Sequence, residues 1–468
     1  MINIFYNEWR GLLRNRLFLF LIFFFLISLF IVIYFGNIQN KKQIQDQNEA
    51  HEHIRSQWDA IDSTNAHGAA HFGTYVFKPN RILNSLDDGI NSVTGVVLKL
   101  EGHKQNDVAY SERSQSLEIS KFGKFKSSLI FQFIIPLFLI FLSFNTYTSE
   151  ISSGRLKLLV IQGNSLTKII FAKILTLLSL SFLLLLTTIF IQSFLNFNML
   201  ALDEVVRLTF FFFSYLIYYF IIISLTILLS ILLKNSVSTL SVILITWLLW
   251  TIFLPKTIGN FTESITPLPS RFELKEKMTE DRSKGIDGHN PRDERRNKLE
   301  KQILDQYGKE TIDELPINIY GIILQADEEY GNKIWDKHFG RIYDILKQQK
   351  RNYQFSGLIN PFASIQSLSM ASCGTDLVHH LDFLKEAETY RRYFIKSLND
   401  EYRDVSTTGD NAYLSNNKFF RSLKDFNYLS PSFASLILYY LLDISFLILW
   451  FFALIFLIVF TSRKVIIS

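Results

Sequence analysis

Six long apolar runs punctuate the chain, and stretches of ordinary polar composition separate them. The runs are Leu17–Phe35, Ser127–Phe144, Ile174–Phe194, Leu208–Leu233, Val237–Leu254 and Phe433–Phe460. A helix needs about 20 apolar residues to cross the hydrocarbon core, whereas a barrel strand needs about 10 alternating ones. The runs are of helix length and do not alternate, so they predict six transmembrane helices over 17–35, 127–144, 174–194, 208–233, 237–254 and 433–460. Pro136 lies inside the second run, and Pro255 is expected to close the fifth. The first run is too long for the apolar stretch of a cleaved leader, and no small-residue cleavage site follows it, so a retained anchor is expected. Residues 1–16 mix Ile4, Phe5, Trp9, Leu12 and Leu13 with Arg10, Arg14 and Arg16. They read either as a short amphipathic helix on the membrane surface or as an extension of the first span.

An even number of spans puts both termini on one face. With residues 1–16, 145–173, 234–236 and 461–468 on that face, ten basic residues stand against Glu8 and Glu150, while the remainder of the chain is slightly richer in acidic than basic residues. The positive-inside bias then assigns the termini to the cytoplasm and the protein to the plasma (inner) membrane as a multi-pass protein. Lys121, Lys124 and Lys126 run against the bias, as long translocated segments often do. Residues 36–126 and 255–432 become two extracytoplasmic segments, together large enough for a folded domain. Helical pattern continues from Asn40 to Ile61 and recurs over Arg271–Tyr307 and Ala326–Tyr353, with a turn at Gly285–Gly288. The expected fold class is an all-α membrane protein with a mainly helical extracytoplasmic domain.

Composition narrows the function classes. The chain has 468 residues, of which 49% are hydrophobic, 44 are Phe and only 19% are charged, which excludes a soluble enzyme and a disordered chain. Cys373 is the single cysteine, so no intrachain disulfide forms. No phosphate-binding GxxxxGK[ST] loop, GxSxG elbow, HExxH pair or CxxC pair occurs, and no cofactor is expected in this chain. A net charge of +5, concentrated at span ends, gives no reason to expect nucleic-acid binding. All nine histidines fall in the two extracytoplasmic segments. His67 and His71 are four apart and would share a helix face as a metal pair, but the small residues between them favour a packed turn, and no metal site is expected. The adjacent rings of His379 and His380 would diverge, with at least one at a cap or on the surface. Asp443 is the only acidic residue deep in a run. It costs about 2.5–3.5 kcal/mol to insert, which the surrounding Leu, Ile and Phe offset. It either lines a translocation path or subunit interface, or hydrogen-bonds to a neighbouring Ser, Thr or Tyr.

The segment 145–173, NTYTSEISSGRLKLLVIQGNSLTKIIFAK, is too long for a tight turn and too short for a domain. It carries Glu150, then Gly154, an apolar patch at Leu156, Leu158 and Leu159, a turn at Gly163–Asn164, and Ser165 as a helix cap. Such a short amphipathic element either docks a soluble partner or lies flat on lipid. Here the chain resembles the ABC-2-type permeases, the membrane subunits of one class of ABC exporter. Glu150, Gly154, Leu156, Leu158, Leu159 and Gly163 match that family's loop, and the six spans, cytoplasmic termini and amphipathic N-terminus match as well. HGAAHFGTYVFKP (67–79) and the stretch from Asn360 to Arg392 resemble segments of a subfamily with enlarged loops. The resemblance implies a separate ABC ATPase that engages the loop through Glu150, Gly154, Arg155, Leu156, Leu158, Leu159 and Gly163. It also implies a second permease, identical or related, forming a dimer, and a substrate that moves outward. The large extracytoplasmic mass motivates another reading, a membrane-anchored force-transmitting or assembly protein acting on envelope partners.

Overall fold

The computed structural model describes residues 1–106, 126–410 and 412–464. Six helices are long and apolar enough to span a bilayer: Arg16–Asp59, Ser127–Ser152, Leu166–Leu195, Leu202–Leu233, Ser236–Ile265 and Phe433–Lys464. The fold class is therefore the expected one. Several helices outrun their apolar stretches, because backbone hydrogen bonding does not stop where the hydrocarbon ends. Span one is the extreme case. Its 44 residues reach about 66 Å at 1.5 Å per residue, roughly twice the hydrocarbon core, and its polar second half carries Trp58 onto Phe394 and Phe420.

The N-terminal ambiguity is resolved in favour of a separate helix, Ile2–Arg14. Asn15 leaves helical geometry (φ −83°, ψ 107°), and its side chain accepts hydrogen bonds from the Leu17 and Phe18 amides, so it caps span one while breaking the chain direction. Trp9 Nε1 donates to Ser179 Oγ at 2.8 Å, pinning the helix to span three. The termini-side ends of the spans are tied together by Thr167–Ser462 and Thr148–Ser236 hydroxyl pairs at 2.6 and 2.5 Å.

Span four is the hub. It packs on spans two, three, five and six, and 67% of its most apolar window is buried, against 17% for spans one and six. Pro255 does not end span five, contrary to the sequence expectation. A π-helical turn over Leu249–Phe253 precedes it, and the helix continues to Ile265. Span two repeats the device, with a π turn at Ile130–Ile134 just ahead of Pro136. The wider turn absorbs the missing amide and the ring's clash with the carbonyl four residues back.

On the face opposite the termini, both long segments fold into one loop domain. Helices Ile319–Phe355 and Leu377–Val405 pack along each other. A three-stranded antiparallel sheet from the first segment (Thr74–Phe77, Val97–Glu101, Lys104–Gln105) packs on the second of them, pairing Thr74 with Leu100 and Leu100 with Gln105. Ser63–Thr64 pairs with Ser415–Asn416, and Trp58 packs among Phe394, Leu398 and Phe420, so the two segments share core. One part of the second segment does not lie in this domain's outer layer. Helix Pro361–Cys373, almost wholly buried, is wedged between spans four and six and touches the π turns of spans two and five.

Candidate functional site

The termini-side hook is built from two short helices, Thr148–Ser152 and Arg155–Ile161, joined at Gly154. Gly154 and Gly163 adopt φ values of 72° and 84°, the left-handed region that reverses the chain at little cost only for glycine. Ser165 accepts from the Lys168 amide and starts span three, as the sequence suggests. Glu150 is buried rather than presented outward. Its carboxylate takes Lys173 Nζ at 3.0 Å and Arg155 at 3.2 Å, and Lys173 also reaches Glu8 of the N-terminal helix at 2.6 Å. Leu156 is buried beneath the hook, and Leu159 is half-buried. The outward ridge consists of Ile151, Leu158 and Ile161, exposed by 44%, 60% and 81%. Ile151 and Ile161 escaped the sequence reading because only the fold shows which side of each short helix faces away.

At the opposite ends of the spans lies a buried polar clamp that sequence reasoning missed. Arg207 of span four, with no exposed surface, meets Asp203 at 2.7 Å, His379 Nε2 at 3.2 Å, and the carbonyls of Ala371 and Pro431. Arg81 of the first segment pairs with Asp203 and Glu204 at 2.6 and 2.8 Å. Asp376 receives Lys350 Nζ and Tyr440 hydroxyl at 2.6 and 2.9 Å, and His379 Nδ1 at 2.6 Å. Burial alone would push the Asp376 carboxyl up, but Lys350 and His379 hold it well below the ordinary carboxylate range. Burial pushes His379 down, which suits the neutral ring that donates to Asp376 and accepts from Arg207. Both His379 and His380 are buried, so the expectation of a surface or capping ring is corrected: here Asp376 is the helix cap.

Asp443 sits in span six with no exposure, enclosed by this chain's own residues. It accepts from Gln354 at 2.6 Å and Ser367 at 2.7 Å. Its partners come from the loop domain and the wedged helix, not from another span. Around it the wedge makes further bonds: Ser369 Oγ donates to Asp87 at 2.6 Å, and Asn360 donates to the Trp250 carbonyl in span five. Burial lifts the Asp87 carboxyl to about 6. His67 and His71 lie on the helix Ala66–Phe72 rather than in a turn, because Asn65 caps it through the His67 and Gly68 amides.

A family model described as ABC-2 family transporter protein matches residues 34–267, half of the chain, taking in spans two to five and the whole hook. The chain belongs to the ABC-2 transporter family. It is accordingly a multi-pass membrane protein and a transport permease rather than an enzyme. A second model, a domain of unknown function (DUF3526), matches 271–429, the greater part of the loop domain including the wedge and most of the clamp's second-segment residues. No curated protein and no solved structure matches the chain.

Proposed function

We propose that this permease is the membrane subunit of an exporter driven by a separate ABC ATPase, which docks on the hook at the cytoplasmic face. The observation that carries this reading is the exposed apolar ridge Ile151–Leu158–Ile161, standing on a hook whose base is braced by the buried Lys173–Glu150 pair, with Glu8 and Arg155 at its edges. An apolar helix face on a stiff base is what a groove on a soluble motor would grip. Lys173 belongs to span three and Glu8 to the N-terminal helix, so a push on the ridge reaches both. The role of Glu150, Gly154, Arg155, Leu156 and Gly163 is then to hold the hook's shape, and Leu158 contacts the motor with Leu159 at the ridge's edge. The termini lie in the cytoplasm of the inner membrane, and a second permease, identical or related, completes the path. ATP-driven closure of the motors would shift the spans between inward-facing and outward-facing arrangements.

Leu158→Asp with Ile161→Asp is expected to abolish ATPase co-purification and transport while leaving the permease folded. Retained co-purification would overturn the docking assignment. The buried clamp favours a second reading, because Arg207, Asp376 and Tyr440 tie the loop domain to spans four and six. In that reading the movement is delivered to an envelope partner. Liposome ATPase activity stimulated by an added envelope protein, but by no small molecule or lipid, would select it.

A further inference from the structure

We propose that His67, His71 and His103 form a binding site on the loop domain for one divalent ion of the zinc class, held by three imidazoles with the fourth position open. The site is independent of the transport reading above. His67 and His71 occupy one face of helix Ala66–Phe72, with their Nε2 atoms 3.3 Å apart. Zinc–nitrogen bonds of about 2.0–2.1 Å in a tetrahedron put neighbouring ligand atoms about 3.3–3.4 Å apart, so this edge already has coordination spacing. His103 enters from the turn between strands Val97–Glu101 and Lys104–Gln105, and one ligand atom from each ring lies within 4.8 Å of the others.

Two features make this more than a chance cluster. His103 has a φ of 62°, uncommon for a residue with a side chain, and the turn is clamped in place. The Gly102 amide donates to the Ala70 carbonyl at 2.8 Å, inside the histidine helix, and a side chain at Gly73 would run into Leu100. The helix and the turn are thus locked together at the distance that juxtaposes the rings. Second, Glu328 of the other segment receives His103 Nδ1 at 3.0 Å and also the His103 amide. That leaves Nε2 as the remaining ligand atom and fixes the tautomer, the arrangement in which a carboxylate orients a metal-bound histidine. Arg391 pairs with the other Glu328 oxygen at 3.0 Å and holds the carboxylate in place. Three nitrogen donors and no inner carboxylate suit zinc, with copper and nickel as competitors, rather than magnesium or calcium. Bound metal would tie the sheet's turn to the histidine helix, while Glu328 connects the site to helix Ile319–Phe355 of the second segment.

The full chain, purified in detergent and stripped with chelator, is titrated with zinc against a chromophoric competitor. One equivalent is expected to bind. His71→Gln and His103→Asn, the latter chosen because Asn tolerates positive φ, should each weaken binding at least 100-fold. Glu328→Gln, a change in a positioning residue, should weaken it by about 10–100-fold. X-ray absorption at the zinc edge of the unaltered protein, which needs no variant, should show a nitrogen shell with imidazole scattering at about 2.0–2.1 Å. Absence of saturable binding, a shell of sulfur or of oxygen alone, or undiminished affinity in a His67, His71, His103→Gln triple variant would overturn the proposal.

Discussion

Single side chains carry the sharpest consequences. Lys173 is buried between two carboxylates, so Lys173→Met leaves Glu150 with only the exposed Arg155 and should cost about 1–3 kcal/mol, measured as a fall in the thermal midpoint in detergent. Glu150→Gln keeps an acceptor for Lys173 and should cost far less. Asp443 has a different character, because its partners are neutral donors. Asp443→Asn keeps an oxygen for Gln354 and Ser367 and is expected to be mild, whereas Asp443→Leu leaves both donors stranded and should cost about 1–3 kcal/mol. His380 supplies a pH dependence. Burial lowers it to about 3 from an ordinary 6.5. Above pH 6.5 the ring is neutral in folded and unfolded chains alike and has no effect. As pH falls from 6.5 towards 3, only the unfolded chain takes up the proton, so this group removes about 1.4 kcal/mol of stability per pH unit. Denaturation midpoints compared at pH 7 and pH 5 should show this loss, and His380→Gln should lessen it.

At the scale of elements, the molecule depends on a few close approaches. Helices Ile319–Phe355 and Leu377–Val405 come so near at Gly321 that an added Cβ would lie 2.7 Å from the Arg403 amide nitrogen. Backbone, not a flexible side-chain tip, blocks that space. Gly321→Ala must therefore push the two helices apart and is expected to destabilise the loop domain by about 1–3 kcal/mol, read from its unfolding curve. Gly154 presents the contrary case. A Cβ there meets nothing within 4 Å, so the penalty for Gly154→Ala comes from φ alone, about 1–2 kcal/mol, and should appear as loss of hook order rather than of global stability. The π turns ahead of Pro136 and Pro255 show how spans carry a proline without ending, and both turns touch the wedged helix Pro361–Cys373.

At the scale of the whole molecule, the hook and the loop domain lie at opposite ends of one helical bundle whose hub is span four. That helix reaches the clamp through Asp203 and Arg207 at one end and packs against span three, bearer of Lys173, along its length. The orientation proposed above is open to direct measurement, since Cys373 is fully buried and native labelling will be low. An impermeant maleimide should label a cysteine placed at Leu158 only after the membrane is opened, and one placed at Tyr75 in intact cells. The reverse pattern would invert the assignment and remove the motor from the hook.

The number of spans and their helical nature were legible in the sequence, because hydrocarbon length leaves its mark on the chain itself. The match to the ABC-2 family agrees with that reading. Nearness in space between distant residues leaves no such mark. The clamp joins Arg81, Arg207, Asp376 and Tyr440, the histidine cluster takes His103 from 32 positions beyond His71, and the wedge reads as an ordinary polar-apolar segment until spans four and six are seen to enclose it. Local pattern reports which solvent a segment prefers. Only the folded chain decides which polar groups, once removed from water, find one another.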